Sequence, residues 1–244
     1  MKNLKIYYIY HSCFVVETKN YLIVFDYFKK PLKNRDDDIS LDEKILNTKK
    51  KVLIFSSHSH YDHFNKEIFS WKNKFRIIEY ILSSDIIFNN ELQSCHKICE
   101  NEALDINGVK IKAYGSTDLG VSFLVEVDTL KIFHAGDLNW WYWKDDTPDE
   151  EKYMKEYYQK IIEQIRKNNN IDIAFFPVDP RLEEFYYLGG EYFAENVKPK
   201  LMIPMHFDEN FYICKEFKEK IERFNVEVAL IERTNYLLRV KTNI

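Results

Sequence analysis

Short apolar runs divided by turn residues fill the first half of the chain. Runs at 4–10, 13–18 and 21–26 predict three strands, with a tight turn at Lys19-Asn20 before the third. Val52-Leu53-Ile54-Phe55 reads as the end of a buried strand, 65–72 as helical, and 76–82 as a further apolar segment. Val109–Tyr114, Val121–Val127 and Lys131–His134 predict strands, with turns at Asn107-Gly108 and Asp128-Thr129. The period then changes. Tyr153, Met154, Tyr157, Tyr158, Ile161, Ile162 and Ile165 recur at helical spacing over 149–167, with charges on the opposite face, and the pattern breaks at Asn168-Asn169-Asn170. Ile171–Val178 predicts a buried strand, 190–197 and 213–224 helices, and 200–205, 226–231 and 236–241 strands. Phe217, Ile221 and Phe224 form the inward stripe of the last helix. No linker, repeat or low-complexity stretch interrupts the pattern, so the expectation is one α+β domain across 1–244.

Composition supports a packed core, since 45% of the 244 residues are apolar and 16% aromatic. The net charge of −4 and the lack of a long basic block argue against a nucleic-acid groove. The acidic run Asp36-Asp37-Asp38 reads as a solvated loop. Charges within the first ten residues argue against a secretory leader, and no stretch approaches a membrane span. The four Cys (Cys13, Cys95, Cys99, Cys214) have no zinc-ribbon or CxxC spacing, so reduced thiols in a cytoplasmic protein are expected. Cys95, His96 and Cys99 would share a helical face, but no second pair follows to complete a metal site.

The chemistry concentrates in Ser56-Ser57-His58-Ser59-His60-Tyr61-Asp62-His63, directly after the buried strand. His58 and His60 lie two apart, so an extended backbone points them the same way. Asp62 is placed to cap a following helix. Imidazole and carboxylate together suit zinc, iron or manganese, and the spacing can serve two adjacent ions. Three further metal-capable residues follow apolar strands: Asp26, Asp137 and His206. Such residues point to metal-assisted hydrolysis, in which an activated water attacks a carbonyl or phosphoryl centre. Ser12 and Ser59 sit near His residues, but there is no GxSxG elbow to supply a rival nucleophile.

The order Asp26, His58-x-His60-x-Asp62-His63, Gly136-Asp137 and His206 resembles the metallo-β-lactamase-fold hydrolase superfamily. His11-Ser12-Cys13-Phe14 and Ile132-Phe133-His134-Ala135-Gly136-Asp137 look like the branch that contains L-ascorbate-6-phosphate lactonase. The resemblance implies a four-layer αββα sandwich with two metals at one edge between the sheets. It implies His58 and His60 on the first metal, Asp62, His63 and His206 on the second, and Asp137 bridging. Asp26 would orient the His cluster by hydrogen bonding. The family usually adds a third His to the first metal from the end of the strand before Gly136-Asp137. Here that strand runs into Gly115-Ser116-Thr117-Asp118, and no His lies between His96 and His134. The first metal would then have His58, His60, Asp137 and Asp118 or water.

Other residues carry two readings each. His134 is a catalytic-site neighbour or a buried core His. His11 is a substrate or ligand-orienting residue or a purely structural one. Trp140 and Trp141, within Leu138–Trp143, line a pocket or anchor the long helix. Arg181 grips an anionic group or forms a structural ion pair. The leading expectation is a hydrolase with one or two Zn2+ ions, Mn2+ or Fe being alternatives. Its substrate would be a small ester, lactone or phosphoester, with no membrane or nucleic-acid partner. The rivals are a phosphodiesterase on a nucleotide or lipid headgroup, a non-catalytic metal- or ligand-binding protein, and a redox protein with two irons.

Overall fold

Among the described residues, fourteen strands form two mixed sheets in a computed structural model, which describes residues 2–28, 48–74, 77–88, 93–167 and 170–242. The acidic run at 36–38 and Asn168-Asn169 lie outside the described residues. The chain divides into two compact units, Met1–Ile98 with Glu232–Ile244, and Cys99–Ile231.

The first unit holds β1 (Lys2–Tyr10), β2 (Cys13–Glu17), β3 (Tyr21–Phe25), β4 (Lys51–Ser56), β5 (Ile78–Ser83), β6 (Cys95–Ile98) and β14 (Tyr236–Thr242). They form one sheet in the order β14-β1-β2-β3-β4-β5-β6. The two-residue period of each strand builds its core face. Tyr7 and Ile9, Cys13 and Val15, Leu22 and Val24, Val52 and Ile54, and Tyr80 and Leu82 belong to one cluster that also takes in Ile68 and Trp71. Those two come from a 3₁₀ helix, Lys66–Lys74, where the apolar pattern had predicted a helix at 65–72. Its start corrects one expectation. Asn65, not Asp62, caps the segment, accepting the Glu67 N–H at 2.9 Å.

Two expectations about the polar stretch after residue 93 also change. Cys95 and His96 are not helical: they open the edge strand β6, and His96 meets Glu79 at 2.9 Å. The short strand β7 (Ala103–Ile106), with one buried residue in four, had no periodic signal to announce it.

The second unit holds β7 to β13 in the order β13-β12-β11-β10-β9-β8-β7. Here β8 is Val109–Tyr114, β9 Ser122–Val127, β10 Leu130–His134, β11 Ile173–Pro177, β12 Leu201–Met205 and β13 Glu227–Val228. Strands β10, β11, β12 and β13 are parallel neighbours. Three α-helices accompany them: α1 (Pro148–Arg166), α2 (Leu188–Val197) and α3 (Tyr212–Ile221).

Helix α1 starts at a capping box, Thr147 with Glu150, and has Pro148 in its first turn. Tyr158, Ile161, Ile162 and Ile165 are its buried stripe, whereas Tyr153 is exposed and stacks on Tyr157. Phe193 of α2 meets Phe133 and Phe176 of the sheet at ring distances of 5.3 and 4.7 Å. Fully burying such a ring contributes about 1.5–3 kcal/mol. Helix α2 begins Leu188-Gly189-Gly190, and both glycines are needed for close approach. A Cβ on Gly190 would lie 2.6 Å from the Phe217 ring, and one on Gly189 would lie 2.7 Å from the Trp140 backbone nitrogen. The helix predicted through 224 stops at Ile221 and continues as a 3₁₀ turn, Glu222–Phe224, closed by Asn225 in the left-handed region. The strand predicted at 226–231 shrinks to Glu227–Val228.

Candidate functional site

In the first unit the polar residues sit where parallel strands end together. Phe25 of β3 pairs with Phe55 of β4, so Asp26 and Ser57 emerge side by side. The Asp26 N–H still reaches the Phe55 carbonyl at 2.9 Å. The Asp26 carboxylate is fully buried and accepts the Ser57 N–H at 2.7 Å, the Ser57 hydroxyl at 2.7 Å and His63 Nδ1 at 2.8 Å. The Ser57 oxygen also lies 2.9 Å from His58 Nδ1. The Ser57 hydroxyl proton goes to Asp26, so His58 Nδ1–H donates to Ser57. Both His58 and His63 thereby carry the proton on Nδ1 and present Nε2 as a lone-pair nitrogen. The His63 and Phe64 N–H groups return to the His60 carbonyl at 3.1 and 3.0 Å, a tight turn that keeps the histidines together. Asp85, beyond β5, takes the Ser59 N–H at 2.8 Å and pins the same loop.

The donor chemistry fits an ion. His58 Nε2 and His60 Nδ1 are 3.1 Å apart. Two imidazoles on one tetrahedral ion at the usual zinc–nitrogen distance stand about 3.3 Å apart. His11, Asp62 and His63 each offer a ligand atom within 4.8 Å of the other two. His11 follows β1 in the left-handed region (φ 54°), its N–H held by the Tyr8 hydroxyl at 3.0 Å and its Nε2 3.6 Å from Asp62.

The second unit uses the same device with other residues. Its parallel strands β10, β11 and β12 end beside one another, and Asp137, Asp179 and His206 follow those ends. This is the edge at which open α/β sheets place ligands. Gly136 (φ 54°) makes the turn to Asp137, whose backbone carbonyl accepts Trp141 Nε1 at 3.0 Å. The Thr117 hydroxyl lies 3.2 Å from that carbonyl and donates to the Asn139 carbonyl at 2.6 Å, while accepting the Asn139 N–H at 2.9 Å. The segment that lacks the family's histidine therefore braces the Asp137 loop. Asp118 from the same segment brings a carboxylate oxygen within 4.8 Å of Asp137.

His206 Nδ1 donates to Asp179 at 2.9 Å, so its Nε2 is the lone-pair nitrogen, 3.4 Å from Asp137 Oδ1. That is long for a charge-assisted hydrogen bond, which runs about 2.7–2.9 Å. It suits two donors that share an ion. Burial alone would raise the Asp179 carboxyl, but hydrogen bonds from His206 and Arg181 outweigh it and hold it down at about 2. Those bonds in turn raise the Arg181 guanidinium above its ordinary value.

The remaining candidates separate. Trp141 is buried, its ring edge-on to His206 at 5.5 Å and stacked with Trp143 at 6.1 Å. Trp140 turns instead toward Tyr158 of α1 and Tyr192 of α2, with Lys155 over its ring. His134 is fully buried in β10 against Phe175 and accepts the Gly136 N–H at 3.2 Å. Sequence reasoning missed Ser57, Thr117 and Asp85. Hydroxyls and surface carboxylates are too common to single out, although Ser57 abuts the His cluster.

Residues 5–145 match the family model of the beta-lactamase superfamily domain, and the chain belongs to that family. Its fold is the α+β metallo-β-lactamase fold. No curated protein gives a significant sequence match. Among solved structures, the chain is similar to Igni18, a metallo hydrolase from the archaeon Ignicoccus hospitalis, with TM-score 0.68, 16% identity and 99% and 100% of the two chains covered. It is similar to a possible metal-dependent hydrolase from Veillonella parvula, with TM-score 0.62, 13% identity and 97% and 99% covered. It is also similar to CmlA, a diiron β-hydroxylase from Streptomyces venezuelae, with TM-score 0.65, 10% identity, and 98% of this chain but 54% of that one covered. These likenesses establish the fold and do not single out the L-ascorbate-6-phosphate lactonase branch. Among the described residues, no helix is long and apolar enough to cross a membrane.

Proposed function

We propose that this chain is a metal-dependent hydrolase of small molecules, acting on an ester, lactone or phosphoester. Its ion donors are His58, His60, Asp62 and His63 of the first unit and Asp137 and His206 of the second. Zinc is the first candidate ion, with manganese or iron as alternatives. The observation that carries this reading is the arrangement of imidazoles around Asp26 and Ser57, which fixes the tautomers of His58 and His63 and leaves Nε2 of each as the nitrogen with a lone pair, that of His58 3.1 Å from His60 Nδ1.

A bound divalent ion would supply a water acidic enough to attack at neutral pH and would polarise the substrate oxygen. The chain's own residues do the rest. Asp26 and Asp179 orient imidazoles through their Nδ1 protons. Trp141 holds the Asp137 peptide and offers an apolar wall beside His206. His11, packed edge-on to His63 at 5.6 Å, restricts that ring's rotation. The test is a hydrolysis panel of p-nitrophenyl esters, simple lactones and bis-p-nitrophenyl phosphate, run on metal-loaded and chelated protein. Metal-dependent turnover of one class, lost in Asp137→Ala, is the expected result. Turnover of the phosphodiester alone would favour the phosphodiesterase reading. Bound metal with no turnover of any class would favour a non-catalytic binding protein, the reading that the missing histidine at 115–118 supports.

A further inference from the structure

We propose that Arg181 is a positioning residue, which locks the Asp179 carboxylate and through it holds His206 with Nε2 set as a metal donor. The proposal rests on the metal-dependent reading above and goes beyond it, since no ligand set contains Arg181 or Asp179.

The geometry is specific. Asp179 is 1% exposed, and its Oδ1 accepts both the Arg181 backbone N–H at 2.9 Å and Arg181 Nε at 3.0 Å. Its Oδ2 accepts Arg181 Nε at 2.9 Å, Nη2 at 2.5 Å and His206 Nδ1 at 2.9 Å. A carboxylate held by the imidazole alone would be free to rotate about its terminal torsion. A fork engaging both oxygens removes that freedom and adds direction as well as charge. With Nε and Nη2 committed to Asp179, the guanidinium charge is already matched by a carboxylate. That gives Arg181 a structural partner within the site, although its side chain is 62% exposed.

The segment that carries Arg181 is itself fixed. The guanidinium carbon sits 5.9 Å over the Trp143 ring. Lys144 pairs with Glu183 and with Glu184, and Tyr142 packs on Phe185 at 4.3 Å. Glu183 is held at φ 50° and ψ −124°, a conformation that non-glycine residues adopt only when their surroundings impose it. The loop after Asp137 and the loop after Asp179 are thus clipped together within one unit.

The experiment titrates Zn2+ and Co2+ into chelator-stripped wild type, R181A, R181K and D179N, with a chromophoric competitor and the visible Co2+ spectrum as readouts. R181A should weaken metal binding roughly 10- to 100-fold, the usual effect of removing an outer partner of a ligand. It should also shift the Co2+ bands, and R181K should restore only part of the loss because a point charge cannot grip both oxygens. In a His206→Ala background R181A should change nothing further. Wild-type affinity and an unchanged spectrum in R181A would overturn the proposal and leave the hydrolase reading standing. Wild type that takes up neither ion would overturn both. Should R181A fail to fold, R181K against D179N reads the same effect.

Discussion

In the first unit the metal-capable residues are three imidazoles and the Asp62 carboxylate crowded into six positions of one loop, with His63 held by Asp26 directly and His58 through Ser57. In the second they are a carboxylate and an imidazole drawn from separate strand ends and oriented by Asp179. Both designs place an acidic residue just past a parallel strand and spend its oxygens on holding a histidine Nδ1–H. They differ in what balances the buried charge. Asp26 is matched by N–H and O–H dipoles from Ser57 and His63, whereas Asp179 has a guanidinium. Local sequence therefore carries the histidine cluster of the first arrangement, to which the β3–β4 register adds Asp26, whereas every member of the second is placed by sheet register.

The largest effect should come from breaking the first arrangement. Asp26→Ala removes a fully buried acceptor of three hydrogen bonds and leaves Ser57 and His63 with unsatisfied donors. A loss of about 3–5 kcal/mol is expected, as for removing one partner from a buried pair. Chemical denaturation reads it, and a loss under about 1 kcal/mol would mean that Asp26 does not organise the loop. Next comes metal removal. Protein at roughly 100 times its dissociation constant of zinc should melt about 5–10 °C above chelated protein, the equivalent of about 2.7 kcal/mol. Coincident melting curves would show that these donors are not a metal site.

The second arrangement breaks from a distance. Gly189→Ala puts a methyl 2.7 Å from the Trp140 backbone, so the loop after Asp137 must shift. We expect a cost of about 1–3 kcal/mol, with weaker metal binding as a consequence. A destabilised variant with native metal affinity would show that the Asp137 loop moves without carrying its carboxylate.

The same contrast explains what could be read from sequence. The His58–His63 cluster was legible because its spacing is local, and the strands leading to it were legible because their apolar runs are nearly unbroken. Asp137 and His206 were legible as residues after apolar strands and through the family resemblance. Asp179 and Arg181 could be noted at a strand end, but their bond to His206 depends on Pro177 of β11 lying beside Met205 of β12. Nothing in either segment alone encodes that pairing. Strands β6 and β7 were missed because Cys-His-Lys-Ile and Ala-Leu-Asp-Ile are too short and too polar to show a period. Asp62 was misassigned as a cap because Asn65, three residues on, is an equally good acceptor.

The central claim is that His58, His60 and Asp137 are donors to bound metal. It is tested most directly by elemental analysis of the zinc-loaded, dialysed native chain beside a His58→Ala/His60→Ala variant and Asp137→Ala. The account predicts at least one retained equivalent in the native protein and a clear loss in each variant, although the substitutions fall in different units. Native protein that retains no ion, or full retention in either variant, would contradict it.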